Sequence, residues 1–165
     1  LAVPYVGLIL STRETKQIRE ELIQHGVSQI SAGSKTDVGG YHEEIEENEE
    51  HDQFELSDER TVLEVNKDLI SRGLIPSYCT ACYRKGRTGD RFMRLAKGGT
   101  IGLICEPNAL MTLTEYIIDY GDEDLIENGL KFVFNHADSI KHQAVKAKLK
   151  NNIYRIIKGE RDLYF

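Results

Sequence analysis

The sequence predicts an α/β segment followed by a mainly α-helical one, and three observations carry that expectation. Two apolar runs, residues 2–10 and 27–33, flank an amphipathic helix and so form a strand–helix–strand unit. A glycine pair and an acidic tract then interrupt the chain. Beyond residue 57 the pattern is helical spacing broken by turn residues. The expected organisation is a βαβ unit over 1–40, an acidic linker over 41–56 and a mostly helical domain over 57–165.

Residues 2–10 (AVPYVGLIL) are almost continuously apolar, as suits a strand covered on both faces of a parallel sheet. Ser11-Thr12-Arg13 ends that run. TRETKQIREELIQHG then places Ile18, Leu22 and Ile23 on one expected buried stripe, with Gly26 as the stop. Val27 to Gly33 reads as the second strand. A right-handed crossover brings Ser11-Thr12-Arg13 and Ser31-Ala32-Gly33-Ser34 to one sheet edge, the carboxyl edge where α/β folds bind ligands. HEEIEENEEHD carries six Glu in eleven residues and reads as a solvated acidic loop. SDERTVLEVNKDLISRG is a helix with Ser57 as candidate N-cap, apolar Val62, Leu63, Val65, Leu69 and Ile70, and Gly73 at its end. LIPSYCTACYRKGRTGD is irregular, because Pro76 and two glycines break it. RFMRLAKGG is a short helix, TIGLICEP an extended piece ending at Cys105, and Pro107 stands in the first turn of the next helix. Two further helices follow, with Asp122 and Asp138 as expected starts.

The chain has 165 residues, with 21 Lys and Arg against 27 Asp and Glu, a net charge of −6. That balance argues against nucleic acid as a partner, since such affinity rests on a basic surface. No apolar run approaches the roughly 20 residues of a membrane crossing. Leu1 opens the text without a charged leader, which reads as a cut inside a longer polypeptide. Three cysteines, Cys79, Cys82 and Cys105, make a poor disulfide framework, so a reduced, cytoplasmic metal or redox site is expected.

The cysteines stand as C-x2-C-x22-C, and soft thiolates favour zinc, copper(I) or iron–sulfur clusters. Arg84, Lys85 and Arg87 lie close by and would help keep the thiolates charged. A structural zinc needs a fourth ligand, for which His136 and His142 are candidates without tight spacing. A cubane cluster on three thiolates instead leaves one iron corner open. Three ordinary buried cysteines are the plain alternative. A zinc-stabilised helical interaction module with an acidic loop is the competing reading of the whole chain. On the sheet edge, Arg13 offers a planar fork for a carboxylate, with Ser11 and Ser31 as hydrogen-bond donors. The plain alternative is a surface Arg13 paired with Glu14 or Glu20.

LAVPYVGLILSTRE, VSQISAGSKTDVGGY, QFELSDER, GLIPSYCTACYRKGRTGDRFM and the final GERDLYF together resemble the HydG family, the tyrosine lyases of FeFe-hydrogenase maturation. The resemblance spans nearly the whole chain, and C-x2-C-x22-C is that family's auxiliary-cluster motif. It implies a radical S-adenosylmethionine (SAM) lyase that cleaves tyrosine to p-cresol, carbon monoxide and cyanide and builds an iron–CO–CN precursor of the hydrogenase H-cluster. It further implies the last strand–helix–strand of a (β/α)8 TIM-type barrel plus a helical C-terminal iron–sulfur cluster domain. Cys79, Cys82 and Cys105 would hold an auxiliary 4Fe–4S cluster with an additional labile iron, and Arg13, Ser11 and Ser31 would meet the tyrosine carboxylate. SAM and a second 4Fe–4S cluster belong to the full-length enzyme, and other maturases stand downstream. The family's C-x3-C-x2-C motif is absent from these residues. This stretch alone is therefore expected to be inactive, and no catalytic residue is assigned within it. None of His25, His42, His51, His136 or His142 takes the role of the labile iron's histidine ligand. The related thiamine-pathway tyrosine lyase shares the first section but lacks the cysteine trio.

Overall fold

A computed structural model describes residues 7–36 and 55–165. The start of the first apolar run and most of the acidic tract, including His42 and His51, lie outside the described residues. The chain forms two compact units, Leu1–Val65 and Asn66–Phe165.

In the first unit, β1 (Ile9–Leu10) and β2 (Gln29–Ile30) pair in parallel, Ile9 opposite Gln29 and Leu10 opposite Ile30. Helix α1 (Lys16–Gln24) joins them. Thr15 caps it, its hydroxyl accepting from the Ile18 amide at 3.4 Å. The helix closes on Gly26, whose φ of 101° lies in the left-handed region that a side chain disfavours. The expected apolar stripe is not itself buried: Ile18 is exposed and Leu22 and Ile23 are half-buried. Arg19, on the same face, is the buried residue of α1.

Parallel pairing sets the Ser11–Arg13 and Ser31–Ser34 turns at the same end of the two strands. Residues 57–60 dock there as irregular chain. The Ser57 and Asp58 amides both donate to the Thr12 carbonyl at 3.0 Å, and Gly33 donates to the Arg60 carbonyl at 3.1 Å. Ser57 is thus committed to the strand end and does not cap a helix, contrary to the sequence expectation. Helix α2 (Val62–Ser71) starts at Thr61 instead. The Thr61 hydroxyl accepts from the Glu64 amide (3.2 Å), and the Glu64 carboxylate accepts from the Thr61 amide (2.8 Å). That reciprocal pair is a capping box.

The second unit contains α3 (Ala81–Arg84), α4 (Gly89–Lys97), α5 (Gly102–Tyr120), α6 (Glu123–Ser139) and α7 (Gln143–Ile157). Helix α5 packs against both α6 and α7. Leu110, Met111, Leu113, Ile117, Leu125, Val133, Leu149, Ile153 and Ile156 fill the core between them. Two buried polar groups of this core are matched: Thr114 donates to the Leu110 carbonyl at 2.7 Å and Asn152 to the Met111 sulfur at 3.5 Å. Gly121 turns the chain from α5 into α6, its amide donating to the Ile117 carbonyl at 3.0 Å. A Cβ at Gly121 would lie 2.4 Å from that oxygen, so only glycine fits the turn.

Three sequence expectations change here. Cys105 is not at the end of an extended piece but in the first turns of α5, its amide donating to the Ile101 carbonyl at 2.8 Å. Pro107 lies inside α5 rather than in its first turn. This near the start it deprives only the Leu103 carbonyl of an amide donor, a modest loss for a helix whose later turns are buried. Asp138 does not start the last helix. It lies near the end of α6, and His142 caps α7, its Nδ1 accepting from the Val145 amide at 3.3 Å. Asp122 does cap α6, accepting from the Leu125 amide at 2.9 Å. Among the described residues no helix is long and apolar enough to cross a membrane.

Candidate cysteine centre and strand-edge site

The cysteine loop is anchored before its first thiol. Pro76 is buried, and the Tyr78 ring stacks on Tyr116 with centroids 5.1 Å apart. The Tyr78 hydroxyl donates to Asn66 at 3.0 Å, and its amide donates to the Thr112 hydroxyl on α5 at 3.2 Å. Tyr78 is therefore packing, as residue type alone favours. Cys79 follows, its Sγ accepting from the Ala81 amide at 3.4 Å. The single turn α3 carries Cys82, and the Arg87 amide donates to the Cys82 carbonyl at 2.8 Å to close the loop. Gly86, at φ 58°, permits that return.

All three thiols are free; Cys79 and Cys82 are half-buried and Cys105 is exposed. Burial pushes the Cys105 thiol up, charge on Cys82 and Cys79 pushes it the same way, and the Arg87 guanidinium opposes them. Among the described residues no three His, Cys, Asp or Glu side chains stand close enough to hold a metal ion. The histidines considered for zinc are engaged elsewhere. His136 Nδ1 lies 3.0 Å from the Phe132 carbonyl, and His142 caps α7.

The basic residues beside the cysteines face the end of the chain, which the sequence did not reveal. Beyond α7, Arg161 pairs with Asp119 (Nε to Oδ2, 2.9 Å) and the Asp162 amide donates to Glu115 at 2.9 Å. Arg84 donates to Asp162 at 2.8 Å, and Lys85 Nζ stands 4.9 Å from the centroid of the Tyr164 ring. Arg87 Nη2 donates to the Phe165 carbonyl at 2.8 Å, and the Phe165 amide donates to Asn108 at 2.8 Å. Arg84 and Lys85 are therefore directed to this strap. Arg87, the cation that opposes the upward shift of Cys105, is buried, and among the described residues its Nε lacks a partner.

At the strand edge of the first unit, Arg13 and Ser11 are exposed and the Arg13 amide donates to the Ser11 hydroxyl at 3.3 Å. Glu20 pairs with Lys16 at 3.7 Å. The dominant feature is one that sequence reasoning missed. Arg19, 1% exposed, spans Asp58 and the Ser31 carbonyl with its two Nη groups. Arg60 closes on the same carboxylate, Nε to Oδ1 at 2.8 Å and Nη2 to Oδ2 at 2.7 Å. The bidentate Arg60 bond, reinforced by Arg19, holds the Asp58 carboxyl at about 2, against an ordinary 3.8. Ser31 thus offers its carbonyl to the buried Arg19, which fixes the turn beside Arg13. The available signal was Arg19 itself, a charge at the spacing of the apolar Leu22 and Ile23.

A parallel strand pair whose carboxyl-end turns are cross-braced, followed by a helical unit bearing three free thiols, defines the class to which known proteins can be compared. The Biotin and Thiamin Synthesis associated domain family matches residues 1–75. The 2-iminoacetate synthase of Escherichia coli K12 is 37% identical over 91 residues, which is 55% of this chain and 23% of that protein. The corresponding enzyme of Salmonella typhimurium is 37% identical over 76 residues, 46% of this chain and 19% of that one. Across the helical unit the likeness is to solved structures. A HydG structure, a maturase of the [FeFe]-hydrogenase, superposes with a TM-score of 0.89 at 52% identity, covering 99% of this chain and 35% of that one. The FeFe-hydrogenase maturase HydG from Carboxydothermus hydrogenoformans gives 0.65 at 32% identity, over 92% and 30%. The chain belongs to the HydG family and corresponds to its C-terminal portion. It spans about a third of the HydG chains and about a fifth to a quarter of the 2-iminoacetate synthases it matches.

Proposed function

We propose that this chain is the cluster-binding C-terminal part of a radical SAM tyrosine lyase. The complete enzyme would cleave tyrosine to p-cresol, carbon monoxide and cyanide and assemble an iron–CO–CN precursor for the FeFe-hydrogenase H-cluster. The observation that carries the reading is the three free thiols in a chain 52% identical to a HydG structure over 99% of its length.

Cys79, Cys82 and Cys105 would hold an auxiliary 4Fe–4S cluster with an additional labile iron. The donor set fits: three soft sulfurs, no competing disulfide, and an unpaired buried N–H on Arg87 beside them. Once bound, that group supplies an iron corner with no cysteine ligand, where the diatomic products can be collected. The engaged His136 and His142 weigh against zinc. The β1–α1–β2 unit is read as the end of a (β/α)8 barrel, with Arg13, Ser11 and Ser31 meeting the tyrosine carboxylate. Buried Arg19 and Asp58 then keep the Ser31 turn in place. SAM and the second cluster would be held elsewhere in the complete, cytoplasmic enzyme, and other maturases would take the product.

The test separates the two chemistries. In the complete enzyme, Cys79→Ala with Cys82→Ala should spare p-cresol release and abolish infrared bands of iron-bound carbon monoxide. Undiminished carbonyl bands in that variant would overturn the assignment.

A further inference from the structure

Two buried hydrogen-bond donors near the cysteines in the chain have no partner among the described residues. Arg87 is 9% exposed and Asn108 is 1% exposed. Among the described residues, Arg87 Nε and Asn108 Nδ2 both lack a partner. A buried donor left unpaired keeps its full desolvation penalty, and the more so when it is charged. Yet each side chain is held firmly through its other atoms, and both holds converge on one residue. Arg87 Nη2 donates to the Phe165 carbonyl and the Phe165 amide donates to Asn108 Oδ1, each at 2.8 Å.

Both residues are tied to the cysteine segments. Asn108 follows Cys105 by three residues on α5, hence on the same helix face. The Arg87 backbone closes the Cys82 loop, its amide donating to the Cys82 carbonyl at 2.8 Å. Of the three basic residues near the thiols, Arg84 and Lys85 are directed to Asp162 and Tyr164. The Phe165 ring is itself held from a third side, with Lys148 Nζ 4.2 Å from its centroid.

We propose that Arg87 is a positioning residue for the cysteine-bound group. Its free Nε–H donates to a thiolate or sulfide sulfur there, and the strap ending at Phe165 clamps the guanidinium in that place. This rests on the reading of Cys79, Cys82 and Cys105 as cluster ligands. A positive N–H donor at a cluster sulfur favours the reduced, more negative state and so raises the reduction potential. The strap thereby tunes the cluster without touching it.

The experiment is a redox titration of the auxiliary cluster followed by electron paramagnetic resonance, with iron and sulfide analysis on the same samples. It uses the complete enzyme reconstituted with iron and sulfide, as wild type, Arg87→Gln, Arg87→Lys and a truncation after Leu163. Arg87→Gln should disfavour reduction about tenfold, a potential lower by about 59 mV for one electron. Arg87→Lys, which keeps the charge, should fall between. The truncation keeps the guanidinium but unclamps it, and should shift the potential the same way. A fully loaded Arg87→Gln enzyme at the wild-type potential would overturn the proposal. If Arg87→Gln loads too little iron to titrate, the truncated enzyme decides, and an unchanged potential there overturns it. Wild-type enzyme with only one cluster's worth of iron would instead remove the underlying cluster reading, and that result precedes any variant.

Discussion

Replacing Asp58 by Asn tests the brace behind the strand edge. Asp58 is 4% exposed and accepts from Arg19 and from the backbone, Nε and Nη2 of Arg60. Asparagine keeps the shape but removes the charge, leaving the buried Arg19 guanidinium without a counter-ion. Holding the Asp58 carboxyl at about 2 rather than 3.8 corresponds to about 2–3 kcal/mol at neutral pH. Breaking one side of a buried pair commonly costs about 3–5 kcal/mol. We therefore expect Asp58→Asn to lower stability by about 3 kcal/mol at pH 7, read by urea unfolding. The pH sign follows from the depressed carboxyl. Its contribution is fully present above pH 4 and is lost as the pH falls from about 4 to 2, where the protonated acid resembles asparagine. The gap between wild type and variant should accordingly close to under about 1 kcal/mol by pH 2. A gap below 1 kcal/mol at pH 7, or one equally wide at both pH values, refutes the reasoning.

Arg13→Ala in the complete enzyme should weaken tyrosine binding more than SAM binding; equal losses in calorimetric titrations would remove Arg13 from the substrate role. Gly121→Ala places a methyl 2.4 Å from the Ile117 carbonyl oxygen, backbone that cannot yield, and should cost about 1–3 kcal/mol by thermal melting. An unchanged melting temperature would show that the α5–α6 turn relaxes freely. The chain alone, reduced and reconstituted, should release neither p-cresol nor 5′-deoxyadenosine from tyrosine and SAM, because it lacks a C-x3-C-x2-C motif. Chromatographic detection of 5′-deoxyadenosine above a no-protein control would sink that expectation.

Local patterns were enough for part of this molecule. The two apolar runs and the helix between them specified a parallel pair, because a crossover of that length leaves the strands pointing the same way. Asp122 as the α6 cap and the Gly26 stop were legible because caps depend only on neighbouring atoms. The cysteine spacing, likewise, is a property of the text. What escaped the sequence depends on residues far apart along the chain. Ser57 has the chemistry of a cap, but the Thr12 carbonyl claims its amide, so α2 waits for the Thr61–Glu64 box. Arg19 sits where a stripe of apolar side chains was expected, and Asp58, 39 residues away, with the Ser31 carbonyl makes its burial tolerable. Cys105 belongs to a helix because α5 is held by its packing on α6 and α7, which outweighs one missing amide at Pro107. Arg87 shows the limit most clearly: its charge was visible beside the thiols, but the Phe165 carbonyl that fixes it lies 78 residues later. No local rule reports a partner at that distance, because folding alone brings the two groups together.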